Sequence, residues 1–434
     1  MKYKVYNLGN FKNIPQVKKL SEEQIFDMEV VGNVLPFKSN NYVVEELINW
    51  DNLENDPIFV LTFPQKGMLK EKSYEKMANA LRAGLKKSEI AKVANEIRLE
   101  LNPHPNGQLE HNVPILENER LIGMQHKYEE TVLFFPTQGQ SCHAYCSFCF
   151  RWPQFTGMDQ YKFAMKQADL LVKYLKSKPN VTDILFTGGD PMIMNAKILG
   201  KYINTILDAK IENLKTIRIG TKSLAFWPYR YLTDKDSNEI LKIFQRINDA
   251  GLNLSIMAHF NHYRELETEP VKNAIKLILK TGAQIRTQSP LLNHINADPE
   301  VWKKMWKEQV NLGLIPYYFF VARDTGAQNY FKVSLEEAYK IYQEAYSNLS
   351  GICRTVRGPS MSAKPGKIQI LGIIEVNGEK VFVLSFIQGR NKDWVGKPFF
   401  AKFNEKAVWL NNLKPAFNDE KFFYEKELEE LLNK

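Results

Sequence analysis

Six short apolar runs, most followed by a stretch with helical spacing, fill the middle of the chain. They are TVLFFPT (131–137), DILFTGG (183–189), IRIGT (217–221), LNLSIMAHF (252–260), AQIRTQSPLL (283–292) and IPYYFFVA (315–322). Runs so continuously apolar suit strands covered on both faces. Between them, YKFAMKQADLLVKYLKS and SNEILKIFQRINDAG place apolar residues three and four apart, and Gly251 stops the second. Strand and helix alternating in series predict an α/β structure, a partial (βα)6 TIM-type barrel. The polar clusters GGD, GTK, HFNH, TQS and ARD each follow an apolar run. In a parallel barrel such positions converge on one mouth, where chemistry is done.

The flanks read differently. Residues 1–115 predict a helical N-terminal region, in which SYEKMANALRAGLKKSEIAKVANEIRLEL opens on Ser73 as an N-cap and NPHPNGQ ends the helix. After about residue 345 the alternation stops. KIQILGIIEVNGEKVFVLSFIQGR predicts a hairpin turning at Asn377-Gly378. Three regions are expected: 1–115, a partial barrel over 116–345, and a β-containing C-terminal extension over 346–434.

Composition narrows the class. With 434 residues, 44% hydrophobic and 25% charged, the chain resembles an ordinary globular protein with a sizeable core. No run approaches the roughly 18 apolar residues of a membrane span. The start, MKYKVYNLGNFKNIP, lacks the apolar stretch of a signal peptide. The net charge of +9 comes from 58 basic and 49 acidic residues scattered along the chain, with no basic block for nucleic acid. An anionic small substrate or cofactor is equally compatible. Four cysteines, three of them clustered, do not form a secreted disulfide framework and point to a reducing cytoplasm.

The clustered cysteines carry the chemistry. Cys142-x3-Cys146-x2-Cys149 can wrap three thiolates around a soft-metal centre. Structural zinc normally takes four ligands; His143 adjoins the first cysteine too closely to supply the fourth, and Cys353 is remote. A [4Fe–4S] cluster on three thiolates would leave one iron open to a substrate or cofactor.

CxxxCx-aromatic-C, with Phe148 as the aromatic, resembles the signature of radical S-adenosylmethionine (SAM) enzymes. The resemblance implies that SAM occupies the open iron and yields a 5′-deoxyadenosyl radical, with an electron from a flavodoxin- or ferredoxin-type donor. FTGGDP resembles the superfamily's glycine-rich motif. Gly188 and Gly189 would then permit close approach to a ligand, and Asp190 would accept from an ammonium. More closely, HKY…TVLFF, CFRW, GGDP, RIGT, HFNH-x-x-EL, QSPLL-x-x-IN and PYYFF are similar, in order, to the motifs of lysine 2,3-aminomutase over about residues 120–335, and more loosely to 370.

That family pairs SAM with pyridoxal phosphate (PLP). By similarity, Lys367 in GPSMSAKPGKIQI anchors PLP, with Lys364 as its rival, while Lys127 and Tyr128 hold the phosphate. Thr131 stands where the family has an arginine. The resemblance also implies SAM contacts at Phe148, Arg218, His259 and Gln288, and a grip on the substrate α-carboxylate by Arg151. An oligomer of like chains is possible by the same similarity, although the family's C-terminal zinc cysteines are absent.

The substrate end departs from the pattern. Of the two aspartates that hold a lysine ammonium, the first falls at Arg323, with Asp324 one position late. The second falls in RGPSMSA, which has no acid, and Arg354 and Arg357 add positive charge nearby. Like charge opposes a lysine ammonium and suits a distal anion. The expectation is a PLP-dependent amino-acid 2,3-aminomutase (a 1,2-amino shift) that does not act on free lysine. The alternative is a radical SAM enzyme that modifies a protein side chain or an RNA base.

Overall fold

In the computed structural model, which describes residues 1–107 and 109–433, eleven strands form one mixed sheet. They are β1 (Met124–Tyr128), β2 (Thr131–Phe134), β3 (Asp183–Phe186), β4 (Thr216–Thr221), β5 (Asn253–His259), β6 (Gln284–Leu291), β7 (Ile315–Val321), β8 (Arg357–Ser362), β9 (Gly366–Val376), β10 (Glu379–Gly389) and β11 (Pro398–Lys402). Their order across the sheet is their order in the chain, and the sheet stays open. Neighbours from β2 to β8 run parallel; β1 and β9–β11 are antiparallel additions at the two ends.

Parallel neighbours need a crossover, and a helix supplies each one. These are α1 (Ala168–Lys176), α2 (Ala196–Asp208), α3 (Ser237–Asp249), α4 (Glu269–Lys280), α5 (Pro299–Asn311) and α6 (Leu335–Ser347). Helix and sheet meet through aromatic edges: Tyr202 of α2 lies 5.4 Å from Phe134 on β2, which lies 5.4 Å from Phe186 on β3. Phe134 and Phe186 are wholly buried, each burial being worth about 1.5–3 kcal/mol. All six expected strands form: four match their apolar runs to within a residue at each end, and β2 and β3 stop three residues before the end of theirs. The Asn377-Gly378 turn closes β9 onto β10 with both residues at positive φ, 50° and 82°.

Several expectations are corrected. The long N-terminal helix is two, Glu71–Arg82 and Lys87–Glu100, because Gly84 takes φ +65° and turns the chain. Ser73 is no cap: it lies inside the first helix and donates from Oγ to Glu100 at 3.1 Å. The helix expected from Tyr161 starts only at Ala168, since Met165 bridges to Pro136 instead. Nor is the first region wholly helical; Val5–Asn7 pairs with Lys38–Asn40. Its buried residues join the core of β2–β7, whereas β9–β11 gather a second core around Phe382, Phe386 and Trp394. No helix among the described residues is long and apolar enough to cross a membrane.

Candidate active site

The ends of the parallel strands open onto a cavity of ≈ 380 Å³. Pockets of roughly 300–1,000 Å³ suit small molecules and cofactors. The cysteine loop and the glycine loop after β3 form one part of its wall; residues of β1 to β8, with Lys367 and Gln388, line the rest.

Cys142, Cys146 and Cys149 are free thiols, and all three line this cavity. Their loop has almost no regular structure, so its backbone is held from outside. Tyr145 N–H donates to the Lys38 carbonyl at 2.7 Å, and Ser147 N–H to the Leu61 carbonyl at 2.9 Å. The His143 carbonyl accepts from Tyr3 Oη (2.8 Å) and Asn40 Nδ2 (3.1 Å). Lys38 Nζ donates to the Cys142 carbonyl (2.6 Å) and Ser141 Oγ (3.1 Å).

Burial pushes all three thiols above the ordinary thiol range; Cys149 adds to this at Cys142 and Cys146, and Cys146 at Cys142. A cationic iron centre would relieve both effects. Three thiols around one shared space are the donor set of a three-thiolate [4Fe–4S] cluster. Cys353 is buried elsewhere, its Sγ accepting from Ser350 Oγ at 3.4 Å, and does not line the cavity.

The glycine loop serves this cysteine loop. A Cβ on Gly189 would sit 2.6 Å from the Ser141 carbonyl oxygen, and one on Gly188 would meet Gln140 Nε2. The close approach these glycines permit is to the chain itself, although both line the cavity. Asp190 is likewise structural. Its Oδ1 accepts from Met192 N–H (2.9 Å), its Oδ2 from Lys222 N–H (2.9 Å), and both accept from Thr221 Oγ1 (2.7 and 2.8 Å). Asp190 lines the cavity as the sequence suggests, and donors from the protein itself engage both of its oxygens.

Phe148 and His259 stack with centroids 6.0 Å apart, and burial brings the imidazole down to about 3, so it is neutral. Gln288 also lines the cavity. Arg218 lines the cavity too, but is held by an acid of the protein. It donates to Asp183 Oδ1 from Nε (2.8 Å) and Nη2 (2.5 Å), and its charge acts on Lys367. Sequence reasoning did not single out Lys222, although it lies in the GTK cluster. Its Nζ pairs with buried Glu265 at 2.6 Å and donates to Asn261 Oδ1 at 2.9 Å.

Lys367 is the second residue of β9, where it pairs with Ser362 on β8 and Gln388 on β10. Its Nζ donates to Gln388 Oε1 at 3.0 Å and lies 3.8 Å from the Tyr318 ring centroid. Burial, then Arg218 and Arg357, hold this ammonium well below the usual lysine range. Lys364 does not line the cavity. Tyr128 does, but Lys127 does not: its Nζ donates to the Ala363 carbonyl and so ties β1 to the turn before Lys367. Lys127 is thus a brace here, in contrast with the phosphate donor expected.

Arg151 and Arg323 both reach the cavity and share a ring. Their guanidinium carbons lie 5.0 and 4.8 Å from the Phe150 centroid, and Arg151 also covers Phe135 at 4.4 Å. Burial brings Arg151 down to about 10. Asp324, expected beside the substrate, does not line the cavity, and its carbonyl accepts from Asn102 Nδ2 at 2.6 Å.

No family model matches the chain. A putative L-lysine 2,3-aminomutase of Aquifex aeolicus (strain VF5) is 30% identical over 397 residues, covering 91% of this chain and 92% of that protein. The L-lysine 2,3-aminomutase of Acetoanaerobium sticklandii is 27% identical over 266 residues, 61% of each chain. That of Bacillus subtilis (strain 168) is 29% identical over 235 residues, so the match spans 47% of that relative and 54% of this chain. Among solved structures, Streptococcus suis SuiB bound to S-adenosylmethionine superposes with a TM-score of 0.36 at 13% identity, over 63% of this chain and 56% of that one. The three-cysteine loop at the mouth of a strand–helix series, with the aminomutase relatives, defines a radical SAM protein. Within that class the chain belongs to the lysine 2,3-aminomutase family.

Proposed function

We propose that the protein is a SAM- and PLP-dependent amino-acid 2,3-aminomutase that does not act on free lysine. One observation carries the reading: Lys367 and the three cysteines face the same cavity, and the lysine amine is desolvated. A neutral amine can attack a cofactor carbonyl, whereas an ammonium cannot. When bound, the cluster and SAM would supply hydrogen abstraction and PLP would carry the migrating amino group.

The chain's own residues bind, orient and shield. Cys142, Cys146 and Cys149 would hold the cluster, and Gly188 and Gly189 keep their loop seated. Phe148, stacked on neutral His259, offers an aromatic face for adenine, with Gln288 beside them as a polar contact. Lys367 Nζ would anchor PLP and could accept a proton when released, while Tyr128 Oη would donate toward the phosphate. Arg151 presents a guanidinium fork to the α-carboxylate. Tyr318 and Phe320 cover the Lys367 side and keep water from it. Arg323 places a cation where a lysine substrate would put its own, which argues against free lysine.

We read the open arc β2–β8 as a partial barrel, with 1–115 and 346–434 as its flanking regions. Reduced iron–sulfur chemistry fits a cytoplasmic setting and a flavodoxin- or ferredoxin-type donor. The cavity's size favours a small amino acid over a protein or RNA substrate. Borohydride reduction of the PLP-treated protein, followed by peptide mapping, tests the reading. A pyridoxyl adduct on Lys367 is expected; no adduct at all would sink the aminomutase in favour of macromolecule modification.

A further inference from the structure

We infer that the substrate is an α-amino acid whose side chain ends in a second carboxylate, and that Arg323 receives that group. The inference rests on the aminomutase reading and names its substrate class. Besides Lys367, four cationic side chains line the cavity: Arg151, Arg218, Lys222 and Arg323. Two are neutralised by the protein, Arg218 by Asp183 at 2.5 Å and Lys222 by Glu265 at 2.6 Å. Arg151 and Arg323 form no ion pair with any carboxylate among the described residues, and Arg323 Nε is buried with no hydrogen-bond partner. The one acid on the cavity wall, Asp190, has its oxygens engaged by Met192, Thr221 and Lys222.

Both free guanidiniums lie on Phe150, each within 5.0 Å of its centroid. A guanidinium stacked on a ring keeps its in-plane N–H edge open for an oxyanion, which it binds with two parallel hydrogen bonds. A buried donor left unsatisfied is costly, so Arg323 Nε calls for an acceptor from the ligand, and Arg151, in no ion pair, offers its edge to a second. A dicarboxylic amino acid supplies two, the α-carboxylate to Arg151 and the distal one to Arg323. A neutral side chain would leave Arg323 bare, and an ammonium would repel it. The rival source of an oxyanion is the PLP phosphate, since Tyr128 lies close enough to Arg323 for each to perturb the other.

Titration calorimetry of cluster- and PLP-loaded protein with L-glutamate, L-glutamine and L-lysine separates these possibilities. Glutamate should bind at least about tenfold tighter than glutamine, the scale of a charge-assisted pair, with lysine weakest. Arg323→Gln should abolish the preference for glutamate over glutamine while PLP content per chain and the melting temperature hold. Arg323→Lys should restore part of that preference, and Arg151→Gln should weaken glutamate and glutamine alike. Equal binding of glutamate and glutamine by the wild type would overturn the inference and leave the aminomutase reading intact. So would an Arg323→Gln protein that loses PLP yet keeps its glutamate preference, which would assign Arg323 to the phosphate. Binding of none of the three, with no pyridoxyl adduct on Lys367, would overturn the inference together with the reading beneath it.

Discussion

Gly189→Ala tests how the cysteine loop is held. Gly189 does not have a left-handed backbone, so adding a methyl carries no dihedral penalty and the effect is purely steric. The new Cβ would stand 2.6 Å from the Ser141 oxygen, 2.7 Å from its nitrogen and 2.8 Å from its carbonyl carbon. Ordinary contact begins at 3.4 Å, so the loops must part by nearly an ångström, and the obstacle is backbone that no rotamer change can move. That parting strains the 2.7 Å hydrogen bond from Asp190 N–H to the Ser141 carbonyl and shifts Cys142, the next residue. Overpacking of this kind costs about 1–3 kcal/mol. Anaerobic reconstitution should give clearly less iron per chain, with a lower melting temperature. Gly84→Ala is the control: its Cβ meets nothing within 4 Å, so the penalty is that of φ +65° alone and iron should be retained. If Gly189→Ala keeps full iron and an unchanged melting temperature, the argument that these glycines seat the cysteine loop is wrong.

Further outcomes follow from the same geometry. Cys146→Ala should lose the reconstituted iron that the wild type keeps, and full retention would contradict its assignment as a ligand. Lys38→Met removes a cation beside Cys142 and two hydrogen bonds, each worth about 0.5–1.5 kcal/mol. Loss of positive charge favours the oxidised cluster, so its midpoint potential, followed by electron paramagnetic resonance, should become more negative; an unchanged potential refutes the role. Lys367 is held below its unfolded value of about 10.4, so between the two values the unfolded chain binds a proton that the folded chain lacks. Wild-type apoprotein should therefore gain stability as pH rises toward about 10. Lys367→Met should be the more stable near neutrality, by a margin that narrows with rising pH; parallel denaturant curves at pH 7 and 10 would refute the shift.

What was legible in the sequence follows the range of the interactions. The strands β2 to β7 are apolar runs because both faces are covered, and that signal is local. Strand β8, RGPSMS, has no such pattern and forms between two neighbours, pairing in parallel with Tyr318 and Phe320 of β7 and antiparallel with Lys367–Gln369 of β9. The three cysteines and Lys367 stood out by spacing and motif, and the fold brings them to one cavity. The engagement of Asp190 by Thr221 and of Lys127 by Ala363 was not legible, because the partners are distant in sequence: an acid or a lysine looks available until its hydrogen bonds are known. Lys222 went unnoticed for the same reason, its partners Asn261 and Glu265 lying a strand away.

The region before residue 116 shows why a site can be larger than its motif. A loop without regular structure must still satisfy its buried backbone groups. Here the partners are Tyr3, Lys38, Asn40, Val60 and Leu61, more than 80 residues from the cysteines they steady. None of these residues carries a recognisable motif, since a backbone carbonyl or one side-chain donor suffices for each contact. Lys38 differs from the others in bringing charge as well as a hydrogen bond. The N-terminal region accordingly shares its core with the strands that carry the site, because the geometry of the three thiols depends on it.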